Sequence, residues 1–417
     1  MATPSSRSFL RNYYLFSFFY DFIFAYAVYN ALFQLRGLSV FQISILLAWW
    51  AFVAMVLEVP TGALADKWNR KTMLTLAPVL KSFCFLCWYI ASGNFWLYAL
   101  GFVFWALGST FVSGTTESLL FDTLKNAGVE ETYNVVLSKK KFFFHIALAI
   151  SMIAGGFIAS FNIDWAILSS VMPLALCALF AFRLTNAPKA EAARSIHYLD
   201  HIREGIKEVR MNRVLLPLIL YLLGIALFAD LEEFDQLYYQ LVHLPLWAFG
   251  IVGFLLSVGN AAGASFAHRL QGMTVPFYLL PFLCGLLLII VGIWPSIPAL
   301  VALEASYLLS TPVHIITEGN IQYAIRSTSR ATVTSVTTLL VNLTGIVITI
   351  CIGLISKFWG LQSAYVVFAV FLIGFAIWAY GRRHAISLQL SRKTSRMLTV
   401  DLTPRQVSPP HPPSSLP

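Results

Sequence analysis

Charged residues are scarce in this chain, and their scarcity limits the class of protein that it can be. Asp, Glu, Lys and Arg together make up 11% of the 417 residues. Soluble globular proteins are about a quarter charged and less than about half apolar. Here 58% of the residues are hydrophobic, and the mean hydropathy is +0.75. The composition excludes an ordinary soluble protein and indicates an integral membrane protein.

Cysteine is also rare, and its positions argue against metal or redox chemistry. All five cysteines lie inside apolar runs (Cys84, Cys87, Cys177, Cys284 and Cys351). Free, buried thiols are expected there, because disulfides favour exposed positions in oxidising compartments. Cys84 and Cys87 are spaced C-x-x-C, but no second ligand pair accompanies them. We expect no metal site and no bound cofactor.

The basic residues are distributed unevenly, and this explains the net charge of +9. Of the 28 Lys and Arg residues, 25 fall at the termini or in alternate loops between apolar runs. Arg36 and Lys357 are in the other set of loops, and Lys81 is inside a run. Basic loops stay on the cytoplasmic side of a membrane. We therefore predict a multi-pass inner (plasma) membrane protein with both termini in the cytoplasm, and no nucleic-acid partner.

Apolar runs of membrane-spanning length follow one another along the chain. About 20 apolar residues cross a bilayer as a helix, and the helix satisfies every backbone polar group internally. Twelve runs are predicted as transmembrane helices, numbered 1 to 12 in chain order: 12–34, 41–61, 73–91, 95–121, 141–161, 164–184, 213–234, 246–268, 275–294, 297–324, 332–356 and 360–381. The predicted fold class is an all-α integral membrane protein.

The longest internal polar stretch divides these helices six and six. This predicts an N-terminal six-helix bundle at 1–184, a cytoplasmic linker at 185–212 and a C-terminal six-helix bundle at 213–385. Apolar residues of the linker recur at helical spacing, which predicts an amphipathic helix on the membrane surface (Ile196, Leu199, Ile202, Ile206 and Val209). The Pro-rich segment 386–417 is predicted to be a disordered cytoplasmic tail.

The two halves resemble each other weakly in sequence. "ALFQLRGLS" (31–39) aligns with "LYYQLVHLP" (237–245), which places Gln34 opposite Gln240. Glu117 with Lys125 and Glu318 with Arg326 form a second matched pair, each eight residues apart. Together with the six-plus-six layout, these matches indicate two pseudo-symmetric bundles that arose by duplication.

The hairpin between helices 2 and 3 carries a more specific signal. Its "GALADKWNRK" resembles the loop signature of the major facilitator superfamily, with matches at Gly62, Leu64, Asp66, Lys67, Arg70 and Lys71. Asn69 replaces a glycine of the signature, and asparagine tolerates left-handed backbone angles. The alternative is a basic cytoplasmic hairpin without a special role.

The resemblance implies a monomeric, twelve-helix secondary transporter of bacterial type, with helices 1, 4, 7 and 10 around a central cavity. It also implies that Asp66 joins the two halves by interacting with Arg70 and with the positive start of helix 11, near 331–334. Gly62 would allow close helix packing, and Lys71 would help to hold the loop inside. Arg326 and Arg330 are further candidates for conformational gating.

Ionisable residues on the implied cavity helices are the candidates for substrate or proton coupling. Asp21 lies on helix 1 and Glu117 lies toward the inner end of helix 4. On helix 10, polar residues fall within an arc of about 80° at 100° per residue (Glu304, Thr311, His314 and Glu318). Carboxylates attract positive charge, and histidine changes protonation near neutral pH. This stripe is what a proton relay or a cation site requires.

Each candidate also has a structural interpretation. Asp21 could pair with Lys81 of helix 3, and His314 could be a hydrogen-bonded packing residue. Glu117 and Glu318 could form cytoplasmic gating pairs with neighbouring basic residues (Lys125, Arg326 and Arg330). Glu232, Glu233 and Asp235 at the end of helix 7 are interpreted as a solvated rim that could draw cations to the mouth.

These features favour proton-coupled efflux of small amphipathic or cationic compounds, driven by the proton gradient. Two motifs of drug/proton antiporters are missing, namely an Arg within helix 4 and a Pro-containing glycine motif in helix 5. Proton-driven uptake of a nutrient or metal chelate therefore stays open, as does a nontransporting sensor. An enzyme is not expected, because the extramembrane segments show no nucleophile–base pair or phosphate loop.

Overall fold

The structure is a computed structural model that describes residues 4–185, 215–325 and 330–383, with a few positions between 207 and 212. Arg326 lies outside these ranges, and the side chains of Asp66, Lys67 and Arg330 within them are not described. Most of the predicted amphipathic helix of the linker and all of the predicted disordered tail also lie outside the described residues. Val209 of the linker is described as helical, and it packs into the core of the C-terminal half with 5% exposure.

The described chain is helical throughout, and twelve of its helices are long and apolar enough to cross a membrane. The helices are, in order, Pro4–Tyr20 with Tyr29–Leu35, Val40–Lys67, Arg70–Ala91, Phe95–Val112 with Thr115–Asn126, Tyr133–Phe161, Ile163–Ser169 with Val171–Phe182, Leu215–Ile225 with Leu227–Glu232 and Asp235–Leu241, Leu246–Leu270, Pro276–Ile293, Ala299–Ala324, Arg330–Trp359 and Leu361–Gly381. The prediction of twelve membrane-spanning helices is confirmed.

Several helices begin where side chains can cap them. Ser39 and Gln42 form a capping box at the start of helix 2, and Asn94 caps helix 4. Asn69 accepts a hydrogen bond from the Lys71 backbone N–H at the start of helix 3. Its backbone is extended, with φ −71°, so the asparagine is there as a cap rather than for a left-handed conformation. These caps satisfy backbone donors that the first helical turn leaves free.

Helices 1 and 7 are interrupted at corresponding places in the two halves. Helix 1 breaks after Tyr20, passes through a short 3₁₀ turn at Phe24–Ala27 and resumes at Tyr29. Helix 7 breaks near Ala226 and again after Glu232. The sequence predicts unbroken helices at both places, because the apolar runs continue across the breaks. Paired interruptions of this kind place polar backbone groups beside a central cavity.

The two halves meet near one face of the bundle. We call the end where helices 1, 3, 5, 7, 9 and 11 begin the basic face, and the other end the opposite face. Near the opposite face, helix 5 crosses helix 8 so closely that a Cβ on Gly156 would lie 3.0 Å from the Gly250 backbone nitrogen. Helix 11 likewise crosses helix 2 at Gly353, against Ser44 and Phe41. These small residues let the backbones of the two halves touch.

Candidate functional site

A central pocket of about 300 Å³ lies between the two halves. It is lined from the N-terminal half by helices 1, 2, 4 and 5 and from the C-terminal half by helices 7 and 8. Helices 1, 4 and 7 are thus among the lining elements, as the family resemblance implied. The two walls differ in their chemistry, and each is described in turn.

The wall from the N-terminal half is aromatic. Tyr26, Tyr29, Trp50, Phe102 and Trp105 line the pocket. The Tyr26 and Trp105 rings stack with centroids 5.5 Å apart, and the Trp50 and Trp105 rings are 6.0 Å apart. Aromatic faces carry partial negative charge and attract cations as well as apolar groups. We call this set of five side chains the aromatic wall.

The wall from the C-terminal half is acidic. Glu232, Glu233 and Asp235 line the pocket. Asp235 is 3% exposed and accepts a hydrogen bond from the Tyr307 hydroxyl at 2.8 Å. Its other carboxylate oxygen has no hydrogen-bond partner among the described residues. Helix 7 continues beyond these residues to Leu241 and places them in the central pocket, so their interpretation as an outer rim is wrong in position. Asp235 is buried there, Glu233 is half-buried and Glu232 is exposed.

Two more carboxylates lie beside these three. Glu304 of helix 10 lies close to the Glu232 carboxylate and interacts with the Tyr239 side chain, and it has no basic partner in the described part of the chain. Asp230 lies against Gly345 of helix 11. We call the five side chains the acidic wall (Asp230, Glu232, Glu233, Asp235 and Glu304). Within the described residues, none of them forms an ion pair with a basic side chain.

Hydrogen bonds join helices 1 and 7 across the two halves. The Tyr29 hydroxyl donates to the Glu233 carboxylate, and Asn30 Nδ2 donates to the Glu233 carbonyl at 2.8 Å. In the other direction, Gln236 Nε2 donates to the Tyr26 carbonyl at 2.8 Å, and its side-chain oxygen accepts from the Asn30 backbone N–H. We call these four bonds the helix 1–7 clasp. They close the pocket toward the opposite face.

Asp21 pairs with Lys81, as the structural interpretation of Asp21 predicted. Lys81 Nζ donates to Asp21 Oδ1 at 3.3 Å and to the Tyr26 hydroxyl at 2.8 Å, and the same Tyr26 hydroxyl donates to Asp21. Lys81 is 1% exposed and lies over the Tyr20 ring, 4.3 Å from its centroid. This network holds the first break of helix 1 and leaves Asp21 paired.

Near the basic face, the ion pairs differ from those expected. Glu117 pairs with Lys140 of helix 5 at 2.5 Å, a partner that was not expected from the sequence. Arg70 pairs with the buried Asp122 of helix 4. The Arg70 pair joins the hairpin after helix 2 to helix 4 of the same half.

The remaining gating residues are only partly described. A Cβ on Gly62 would meet no atom of the described residues within 4 Å. Lys71 lies over the Phe182 ring at 4.7 Å. The contacts expected for Asp66, Arg326 and Arg330 fall on side chains outside the described residues.

On helix 10, the two ionisable residues nearest the basic face are accessible. His314 Nδ1 and Glu318 Oε2 are 3.9 Å apart, and their side chains are 39% and 58% exposed. Glu117 is 38% exposed on helix 4. In this conformation the two halves are in contact near the opposite face, and the space between them is accessible from the basic face. The polar stripe predicted on helix 10 therefore does not act as one group. Glu304 belongs to the acidic wall, whereas His314 and Glu318 lie far from it.

Two features of the site were missed in the sequence. Four carboxylates occur within the six residues 230–235, an unusual density at the end of an apolar run. The alignment of the halves, extended back by one residue, also places Asn30 opposite Gln236. Among the described residues, no group of three or more His, Cys, Asp or Glu side chains is arranged to hold a metal ion.

Solved structures of membrane transporters share this fold. The nucleoside transporter NupG superposes with a TM-score of 0.73 at 13% identity, over 91% of this chain and 99% of its own. A bacterial homolog of the human lysosomal transporter Spinster, in an inward-facing conformation, gives 0.70 at 16% identity, over 94% and 99%. The inward-open xylose transporter XylE from E. coli gives 0.65 at 10% identity, over 90% and 95%.

At the sequence level, no curated protein matches the chain. The family model described as Major Facilitator Superfamily matches residues 13–349, which include the aromatic wall, the acidic wall and the clasp. Twelve membrane-spanning helices, paired breaks in helices 1 and 7 and a central pocket agree with that match. The chain therefore belongs to the Major Facilitator Superfamily, and it is a secondary transporter rather than an enzyme.

Proposed function

We propose that this transporter exports small amphipathic cations in exchange for protons, working as a monomer. The observation that carries the proposal is the pairing of an aromatic wall with an acidic wall across one pocket. Aromatic rings bind apolar groups and cations, whereas unpaired carboxylates favour positive charge and disfavour anions. A compound that is both apolar and cationic satisfies the two walls at once.

Export is the proposed direction, and the accessibility of the basic face and the charge distribution support it. The basic loops favour a cytoplasmic location for the basic face. The pocket would then be loaded from the cytoplasm and emptied after the halves rock about it. Protons would compete with the cargo for the same carboxylates, since both neutralise negative charge in a confined space.

The acidic wall is the best location for proton coupling. Asp21 is paired with Lys81, and Glu117 is paired with Lys140, so each carboxylate already has a counter-ion. Glu304 has no such partner in the described structure and belongs to the acidic wall. His314 and Glu318 would relay protons between that wall and the basic face. Among the coupling residues expected from the sequence, Glu304 therefore has the strongest support.

Purified protein in liposomes tests this function. With an imposed pH gradient, we expect uphill movement of the lipophilic cation tetraphenylphosphonium and none of neutral triphenylphosphine oxide, which has a similar shape. Glu304→Gln should abolish accumulation driven by the gradient. A protein that moves both compounds equally, or neither, would contradict the proposed cargo class.

Uptake of a cationic nutrient or a metal chelate is the second candidate, because the same acidic wall would serve it. Vesicles of known orientation separate the two candidates. Export predicts that the pH gradient drives the cation out of the compartment that the basic face contacts. Uptake predicts the reverse movement under the same gradient.

A further inference from the structure

Glu233 belongs both to the acidic wall of the pocket and to the helix 1–7 clasp. Its side chain lines the central pocket as a member of the acidic wall. The same carboxylate accepts the hydrogen bond from Tyr29, which belongs to the other half of the protein. Any positive charge that binds at Glu233 from the pocket therefore acts on a bond that holds the opposite face closed.

The other bonds of the helix 1–7 clasp do not have this property. Asn30 and Gln236 use neutral amide groups, and their partners across the interface are backbone groups. Hydrogen bonds to an ionised acceptor are roughly twice as strong as neutral ones. Within the clasp as described, the Tyr29–Glu233 bond is the one whose strength depends on the charge state of the pocket.

We propose that Glu233 transmits positive charge in the pocket to the opposite-face gate. A proton or a cationic cargo neutralises the carboxylate, weakens the bond from Tyr29 and favours separation of helices 1 and 7. Without positive charge, the ionised carboxylate keeps the gate closed. The inference rests on the proposed function for the cationic cargo, but the response to protons is independent of it.

Other ionisable groups surround Glu233 and must be separated from it experimentally. Tyr29 faces it from helix 1, whereas Asp230, Glu232 and Asp235 interact with it along helix 7. Glu304 reaches the same wall from helix 10 through Glu232 and Asp235. Glu232 provides the matched control, because it lines the same pocket and makes no hydrogen bond to the other half in the described structure.

The gate can be followed by spin-label distances in the full-length protein after its five cysteines are replaced. Labels at Trp96 and Ile297, both exposed at the opposite face, report its separation. Labels at Asn126 and Gln271, both exposed at the basic face, report the reciprocal closure. For the wild type, acidification or tetraphenylphosphonium should each increase the separated population at the opposite face, whereas neutral triphenylphosphine oxide should not.

Three variants then test the role of Glu233. Glu233→Gln keeps an oxygen that accepts from Tyr29 but removes the charge, so its gate should respond to neither trigger. Glu232→Gln removes one carboxylate of the acidic wall and should weaken cation binding, but its gate should still respond to acidification and to saturating tetraphenylphosphonium. Tyr29→Phe removes the donor and should shift the ratio of separated to closed gates about tenfold without any trigger, the size expected for one charge-assisted hydrogen bond.

The outcomes distinguish this inference from the proposed function. If Glu233→Gln responds to acidification as the wild type does, the inference is wrong. Should that variant misfold, a Tyr29→Phe gate that stays closed and keeps the wild-type response would overturn it equally. If the wild type responds to acidification but does not bind tetraphenylphosphonium in equilibrium dialysis, the proposed cargo class fails while Glu233 keeps its role for protons.

Discussion

Asn30 and Gln236 occupy matching positions in the two halves, and each donates its side-chain amide to the backbone of the other half. Asn30 Nδ2 reaches the Glu233 carbonyl and Gln236 Nε2 reaches the Tyr26 carbonyl, both at 2.8 Å. The arrangement is nearly symmetric about the axis between the halves. This near-symmetry agrees with the weak sequence match between the halves and supports the prediction that they arose by duplication.

Removing either amide should loosen the opposite face. Asn30→Ala deletes one side-chain hydrogen bond across the halves, about 1 kcal/mol of closure, and should raise the separated population several-fold. Gln236→Ala deletes the bond that its amide donates and the bond that it accepts, so its effect should be larger. Ser257→Cys, placed in the pocket of a cysteine-free protein, measures this through its rate of reaction with an impermeant maleimide applied to the opposite face. Gln34→Ala is the control, since its Oε1 has no hydrogen-bond partner in the described structure. Equal labelling of all three variants would contradict the assignment.

The Asp21–Lys81 pair should stabilise the N-terminal half. Lys81→Met leaves Asp21 without its counter-ion inside the bundle, and breaking a buried pair in this way costs about 3–5 kcal/mol. Combining it with Asp21→Asn removes the unpaired charge and should restore most of the lost thermal stability in detergent. A double variant as unstable as Lys81→Met alone would show that Lys81 acts through packing.

The same double variant also tests Asp21 as a proton-coupling residue. If the pair is structural, Asp21→Asn with Lys81→Met should still move tetraphenylphosphonium uphill on a pH gradient. Loss of gradient-driven transport, with cation binding unchanged, would instead assign coupling to Asp21.

Trp50 should contribute to cation recognition by the aromatic wall. Trp50→Leu keeps an apolar side chain but removes the ring face, whose attraction for a cation is about 0.5–2 kcal/mol. The Kd for tetraphenylphosphonium should rise by about twofold to thirtyfold, with little change for the neutral phosphine oxide. Phe83→Leu, a substitution on the exposed surface of helix 3, should leave both affinities unchanged in equilibrium dialysis.

The Arg70–Asp122 pair should depend on charge rather than on residue identity. Arg70→Ala leaves the buried Asp122 carboxylate unpaired and should lower the transport rate. Exchanging the residues, Arg70→Asp with Asp122→Arg, should recover part of it. If the exchanged variant transports no faster than Arg70→Ala, the pair requires the arginine on helix 3 and the aspartate on helix 4. Transport rates in liposomes at equal protein content provide the comparison.

Hydropathy was enough to predict the twelve helices, because bilayer thickness fixes the length of an apolar run that crosses it. It could not predict the breaks of helices 1 and 7, since the mean hydropathy of each run stays high although Asp21 and the carboxylates of 230–235 lie at the breaks. In helix 7, the predicted end at residue 234 placed Glu232 and Glu233 at the outer end of the span, whereas the helix resumes at Asp235 and runs to Leu241.

The ion-pair partners of the charged residues were harder to predict than the helices on which those residues lie. Lys125 is near Glu117 in sequence, but Lys140 reaches it from helix 5. Asp122 attracts Arg70 from a different loop. The choice depends on how each helix is rotated about its axis, and periodicity fixes that rotation only coarsely. The Asp21–Lys81 pair could be anticipated because both residues lie at a similar depth in adjacent helices.

Placing the acidic wall wholly in the C-terminal half makes the two halves electrically unequal. In the N-terminal half, Lys81 neutralises Asp21. Each ionised carboxylate of the acidic wall, by contrast, travels with its own half when the protein rocks. A charge that crosses the full membrane voltage changes energy by about 2.3 kcal/mol per 100 mV. The membrane potential therefore exerts its force mainly on the C-terminal half. Binding or release of positive charge in the pocket changes that force.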